Sequence, residues 1–139
     1  MLRGYVRGHG RVGIRNHVAV IYTVECAHHV AANVAARVPG TQVIGFAGCY
    51  ADAYASATLR ELAVHPNVAG AVLISLGCES TNVDALAGAI AARGKPVEVL
   101  RIQDVGGHGK PSPVERKLRA PWLAELYRKK NPCRSRGRT

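Results

Sequence analysis

The sequence predicts an α/β fold: an open, mostly parallel sheet of about four strands with helices on both faces, Rossmann-like and doubly wound. Three observations carry this prediction. Four apolar runs of strand length recur along the chain, at His17–Val24, Thr41–Ala47, Ala69–Leu76 and Pro96–Ile102. Three segments with helical periodicity lie between them, at Cys26–Val38, Asp52–Val64 and Ser80–Arg93. The connections are short, and a βαβαβαβ order with short connections implies parallel strands covered by helices.

The elements follow in order. Residues 1–16 hold Gly4, Gly8, Gly10, Gly13 and four arginines, and read as a loop or an edge hairpin. The first strand is almost continuously apolar, as burial on both faces requires. The first helix carries Ala and Val at helical spacing and stops at Pro39-Gly40, an ordinary helix-ending signal. Asp52 is a good N-cap for the second helix, which His65-Pro66-Asn67 breaks. Ser80 or Thr81 caps the third, which ends at Gly94. Gly106-Gly107-His108-Gly109 forms a flexible loop after the fourth strand, and Val114–Lys130 forms a last amphipathic helix interrupted at Pro121. The chain thus divides into an N-terminal Gly/Arg loop (1–16), an α/β domain (17–110) and a basic C-terminal helix and tail (111–139).

A length of 139 residues suits a single hydrophobic core. The hydrophobic fraction of 47% and charged fraction of 20% are ordinary for a globular protein. No apolar run is long enough to cross a bilayer, and the first residues carry no apolar signal core, so a cytoplasmic location and no membrane contact are expected. In a reducing compartment the cysteines are expected as free thiols or ligands. The net charge of +10 is unevenly distributed: residues 17–106 carry five basic and seven acidic groups, whereas residues 107–139 carry ten basic and two acidic. Such a tail is a solvated end or a dock for an acidic partner. Nucleic acid is not expected, because the tail offers only Trp122 and Tyr127 as aromatics and no recognisable binding motif.

Cys26, Cys49 and Cys78 each follow an apolar run, so parallel neighbouring strands bring all three to one sheet edge, where open α/β sheets hold their ligands. As thiolates they suit a divalent metal or an iron–sulfur cluster with one open position; equally, small Cys side chains fit crowded strand ends. Glu79, after Cys78, reads as a ligand, a base or a residue of the next helix's first turn. His28 and His29 sit near the same edge, His28 as a proton shuttle or ligand. Gly106 and Gly107 offer backbone N–H groups to an anion. Arg15 and Asn16 precede the first strand and so belong to the opposite end of the sheet. Arg15 suits either a bidentate carboxylate clamp or a tie between the N-terminal loop and the body. His65, in a turn before proline, reads as structural, and Cys133 as an exposed thiol. Gly8, Gly10 and Gly13 precede a strand rather than join strand to helix, which excludes a dinucleotide-binding turn.

The string Gly4-Tyr-Val-Arg-Gly-His-Gly-Arg-Val-Gly-Ile-Arg-Asn-His17 resembles the start of the catalytic region in the altronate/galactarate dehydratase family, which includes the large subunit of sulfolactate sulfo-lyase. Tyr22-Thr23-Val24-Glu25-Cys26 is similar to that family's Pro-Thr-x-x-Cys strand end. His65-Pro66-Asn67-Val68 leading to Leu76-Gly77-Cys78-Glu79 is a second match, and Ile102-Gln103-Asp104-Val105-Gly106-Gly107 a third. His9 stands where the family usually has Asp, and Tyr22 where it usually has Pro. The resemblance spans about residues 4–112 and implies a lyase: a dehydratase or sulfo-lyase that removes a proton beside the carboxylate of a small hydroxy acid and expels a β-substituent. The prominence of Arg15 and Asn16 in the motif adds them to Glu79 and His28 as catalytic candidates, with Cys26, Cys49 and Cys78 as candidate metal ligands and Fe, Mg or a cluster as the expected cofactor. Family members continue through a long second region, which is expected from a second subunit, and the apolar surface that region would cover is expected to drive a homo-oligomer. The rival expectation is a non-catalytic binding or assembly module on the same scaffold.

Overall fold

The structure is a computed structural model that describes residues 4–50 and 52–105. The expected anion loop at Gly106 and Gly107, the helix Val114–Lys130 and the thiol of Cys133 lie outside the described residues. The N-terminal segment is a hairpin: β1 (Tyr5–Val6) and β2 (Val12–Gly13) pair antiparallel around a 3-10 turn at Gly8–Gly10.

The main sheet contains β3 (His17–Tyr22), β4 (Thr41–Gly45), β5 (Val68–Ser75) and β6 (Val97–Arg101). They lie in the order β4-β3-β5-β6, every pair parallel, with Tyr22 opposite both Gly45 and Ile74. The α/β class and the four-stranded parallel sheet are as the sequence predicts. Three helices cross over: α1 (His28–Arg37), α2 (Ala53–Ala63) and α3 (Val83–Ala92).

Alternating side chains of the strands feed two separate cores. On one face Val18 and Val20 of β3, Val72 and Ile74 of β5 and Leu100 of β6 pack against Ala31 and Val34 of α1. On the other, Ala19, Ile21, Ala71 and Leu73 pack against Leu59 and Ala63 of α2 and Leu86 and Ile90 of α3. All eight residues of β5 are buried, and each large side chain so buried contributes about 1.5–3 kcal/mol.

Two local expectations need correction. The helix-3 cap is Asn82, whose Oδ1 accepts the Ala85 N–H at 2.9 Å, not Ser80 or Thr81. Ser80 is occupied elsewhere: its N–H and its hydroxyl both donate to the Cys49 carbonyl, at 3.3 and 3.2 Å, joining the loops after β4 and β5. Glu79 consequently sits in a loop, four residues before α3 begins, rather than in a helical turn. Asp52 does cap α2, accepting from Tyr54 N–H at 2.8 Å.

Candidate functional site

Because the strands are parallel, all their carboxyl ends share one edge. From β3 the chain leaves to α1 on one face; from β5 it leaves to α3 on the other. The gap between these two departures is where open α/β sheets bind ligands. The residues there are Tyr22, Thr23, Glu25 and His28 from the β3 side, and Ser75, Gly77, Cys78 and Glu79 from the β5 side.

Glu79 is the centre of a hydrogen-bonded clamp across this gap. Its Oε1 accepts from the Thr23 hydroxyl at 2.5 Å and its Oε2 from the Gly77 N–H at 2.8 Å. Thr23 is buried and also extends the β3–β5 ladder, its N–H donating to the Ile74 carbonyl at 3.1 Å. Partial burial pushes the Glu79 carboxyl up, but hydrogen bonds from Ser75, Thr23, Gly77 and its own backbone N–H outweigh it and hold the group down at about 2. A carboxylate held ionised this firmly is a weak base, because proton transfer is efficient when the catalytic group titrates near the working pH. Gly77 makes the bend possible: its φ of +113° is a conformation that side-chain-bearing residues rarely adopt, and a Cβ there would lie 2.8 Å from the Gln103 side chain.

His28 forms the second arrangement. Its Nδ1 lies 3.0 Å from Glu25 Oε1, and its ring stacks on Tyr22 with centroids 4.8 Å apart and planes at 23°. A carboxylate only accepts, so Nδ1 carries the proton and Nε2 is left as the basic nitrogen. The Tyr22 ring lies over Gly45, where even a Cβ would sit 2.1 Å from it. Both members of the pair are about half exposed, at 47% and 53%, so the contact alone adds little stability. His29 is exposed and bonded to Asn33 at 2.9 Å.

Cys26, Cys49 and Cys78 reach the same edge, as expected from the topology, and all three are exposed free thiols. They do not assemble into a ligand set: among the described residues no three His, Cys, Asp or Glu side chains are grouped so as to hold a metal ion. Among the described residues the three thiols are thus not gathered into a metal or cluster site.

Arg15 and Asn16 lie at the other end of β3, roughly 20 Å from Thr23 at about 3.3 Å per residue. The structure does not bring them to Glu79. Arg7 braces this end, donating to the Pro66 carbonyl at 2.9 Å, the Arg15 carbonyl at 3.2 Å and Asn16 Oδ1 at 2.7 Å. Asn67 Oδ1 accepts the N–H groups of Ile14 and Arg15 at 3.0 and 3.2 Å. The His65-Pro66-Asn67 turn thus docks the hairpin, and His65 is structural as predicted, its Nδ1 accepting the Asn67 N–H at 3.1 Å.

Sequence reasoning missed Thr23, Ser75 and Glu25, which complete the two arrangements. Thr23 and Ser75 read as strand residues; only their place at strand ends, opposite an acid, signals more.

Residues 4–120 match the family described as D-galactarate dehydratase/altronate hydrolase, second domain. The chain is 34% identical to (2R)-sulfolactate sulfo-lyase subunit beta of Chromohalobacter salexigens over 138 residues, which is 94% of this chain and 34% of that protein. The chain spans about a third of the length of the curated relative it matches. No solved structure matches it significantly.

Proposed function

This chain belongs to the D-galactarate dehydratase/altronate hydrolase family, and on that basis we propose that it is the α/β lobe of a cytoplasmic lyase that eliminates water or sulfite from a small hydroxy acid. The observation that carries the reading is the Glu25–His28 pair stacked on Tyr22 at the carboxyl edge, beside the Thr23–Glu79 clamp.

In such an elimination a base removes the proton beside the carboxylate. The electron pair forms the C–C double bond as the β-substituent departs, water leaving from a protonated hydroxyl or sulfite as the anion. The resulting enol becomes a 2-oxo acid by taking a proton on carbon. His28 Nε2 is the group suited to accept the first proton, with Glu25 fixing the ring's tautomer and stabilising the imidazolium. Glu79, ionised and fully occupied by donors, holds the β3 and β5 loops at a fixed spacing and is a positioning residue. An exposed pair is poorly suited to this work, because proton abstraction from carbon gains from a dry site. The reading therefore includes a further region that covers the edge, from a second subunit or from more of the same protein. Free thiols at the edge accord with a reducing compartment.

The test is an assay of the purified chain with altronate, galactarate and sulfolactate for 2-oxo acid and sulfite, alone and with a second polypeptide carrying the rest of the family's length. The chain alone is expected to be silent. The mixture is expected to turn over and to lose at least about a hundredfold with His28→Gln. Mixture activity indifferent to His28→Gln removes the assigned base, and turnover by the chain alone at about 1 per second or more shows the lobe to be complete. No activity in either arm favours the assembly-module alternative.

A further inference from the structure

At the opposite end of the sheet a pocket of about 490 Å³ opens between the hairpin, the turn from α2 to β5 and the turn from α3 to β6. That volume lies within the range of small-ligand sites. Its lining includes Arg7, His9, Arg11, Arg93 and Lys95 and, among the described residues, no acid.

Lys95 is only 8% exposed. Its Nζ donates to the carbonyls of His65 and Val68, both neutral acceptors, and among the described residues the third N–H and the positive charge meet no acid. Arg11 has no side-chain hydrogen bond or ion pair among the described residues. Arg7 bonds only to carbonyl oxygens. Arg93 alone meets an acid, Glu61 at 3.6 Å, and Glu61 also pairs with Arg60 at 3.1 Å. Burial, and then the charges of Arg7 and Arg11, push Lys95 down to about 8. Nor do residues 107–139, with ten basic and two acidic groups, offer much counter-charge. Burying the Lys95 ammonium beside further cations without a counter-ion is unfavourable, and a bound anion lowers that cost.

We propose that this pocket binds a small, multiply charged oxyanion, at a site separate from the carboxyl edge. Carboxylates and phosphates share the required chemistry: several oxygen acceptors facing the Lys95 ammonium and the Arg11 guanidinium. A bound anion also favours the charged form of Lys95, so binding above neutral pH takes up a proton. The groups facing Lys95 in that titration are Arg7, His9 and Arg11 of the hairpin, Arg93 of its own turn and the His65 and Val68 carbonyls; none of these is an acid.

The experiment is calorimetric titration of the full chain at low salt with inorganic phosphate and, separately, malonate, which has no β-hydroxyl to eliminate. At least one is expected to bind one-to-one with Kd below about 1 mM, and Arg11→Gln to weaken it about tenfold. At about pH 8.5 the binding heat is expected to vary with the buffer's ionisation enthalpy, reporting proton uptake by Lys95. Phosphate alone, malonate alone or both binding identifies the anion class. Binding weaker than about 1 mM for both, binding indifferent to Arg11→Gln, or binding without proton uptake overturns the proposal. Arg11 is exposed and makes no structural side-chain bond, so its variant remains informative even where Lys95→Met fails to fold.

Discussion

Replacing Glu79 by glutamine tests the clamp directly. Glutamine keeps one acceptor for the Thr23 hydroxyl but turns an NH2 group toward the Gly77 N–H and removes the charge. The fall of the carboxyl from an ordinary 4.5 to about 2 corresponds to about 3 kcal/mol of preference for the ionised form. The site is only partly buried, so water shares the charge and the expected loss is about 1–2 kcal/mol. The pH dependence has a fixed sign. A native value below the unfolded one means the unfolded chain binds more protons in between, so the stabilisation is present above about 4.5 and disappears as pH falls through about 2. Urea unfolding followed by far-ultraviolet circular dichroism, at neutral pH and at steps down to about pH 2.5, measures this. The gap between wild type and Glu79→Gln is expected to be about 1–2 kcal/mol at pH 7 and to close toward the acid end. Parallel curves, or a gap under about 0.5 kcal/mol at pH 7, refute the clamp. Thr23→Val removes the 2.5 Å hydrogen bond and is expected to cost about 1 kcal/mol while shifting the acid transition upward.

Two further outcomes follow from the geometry. Asn67→Ala strands the Ile14 and Arg15 N–H groups and is expected to cost about 1–2 kcal/mol, with faster hydrogen exchange confined to the hairpin; uniform exchange across the chain would contradict the docking role. Cys26, Cys49 and Cys78 are exposed, so in the native chain all three are expected to react with a thiol reagent about as fast as in denaturant; protection of all three that a chelator abolishes would mean that they hold a metal after all.

The sheet was legible because its cause is local. Four apolar runs separated by helical periodicity permit few topologies, and parallel strands then force Cys26, Cys49 and Cys78 to one edge. Which side chains meet there is set by distances of a few ångströms, and sequence spacing does not encode them. Cys49 lies four residues beyond β4 and Cys78 three beyond β5, far enough for loop geometry to separate thiols that topology brings near. Glu79 stands out in the sequence beside Cys78, but its role depends on Thr23, 56 residues away, and on the positive-φ bend at Gly77. Ser80 looked like a cap, and a local hydroxyl does compete for that role; the contact with Cys49 across the loops was invisible from the chain.

The same spacing argument bears on how chemistry can be divided in this fold. A small hydroxy acid is far shorter than the roughly 20 Å between Asn16 and Thr23, so within one copy of this lobe the motif residues Arg15 and Asn16 lie far from a substrate held beside His28, the base proposed above. Two of the family-like motifs, the Gly/Arg hairpin and the His65-Pro66-Asn67 turn, instead bind each other through Arg7 and Asn67. Their joint product is a hydrogen-bonded amino end of the sheet, with cations facing a pocket. A site there is separated from the carboxyl edge by the length of strands β3 and β5. If phosphate or malonate at the amino end leaves the acid transition of Glu79 unchanged, the two ends are independent. If it changes the stability gap between wild type and Glu79→Gln, beyond the uniform stabilisation that native-state binding gives by mass action, the two ends are coupled.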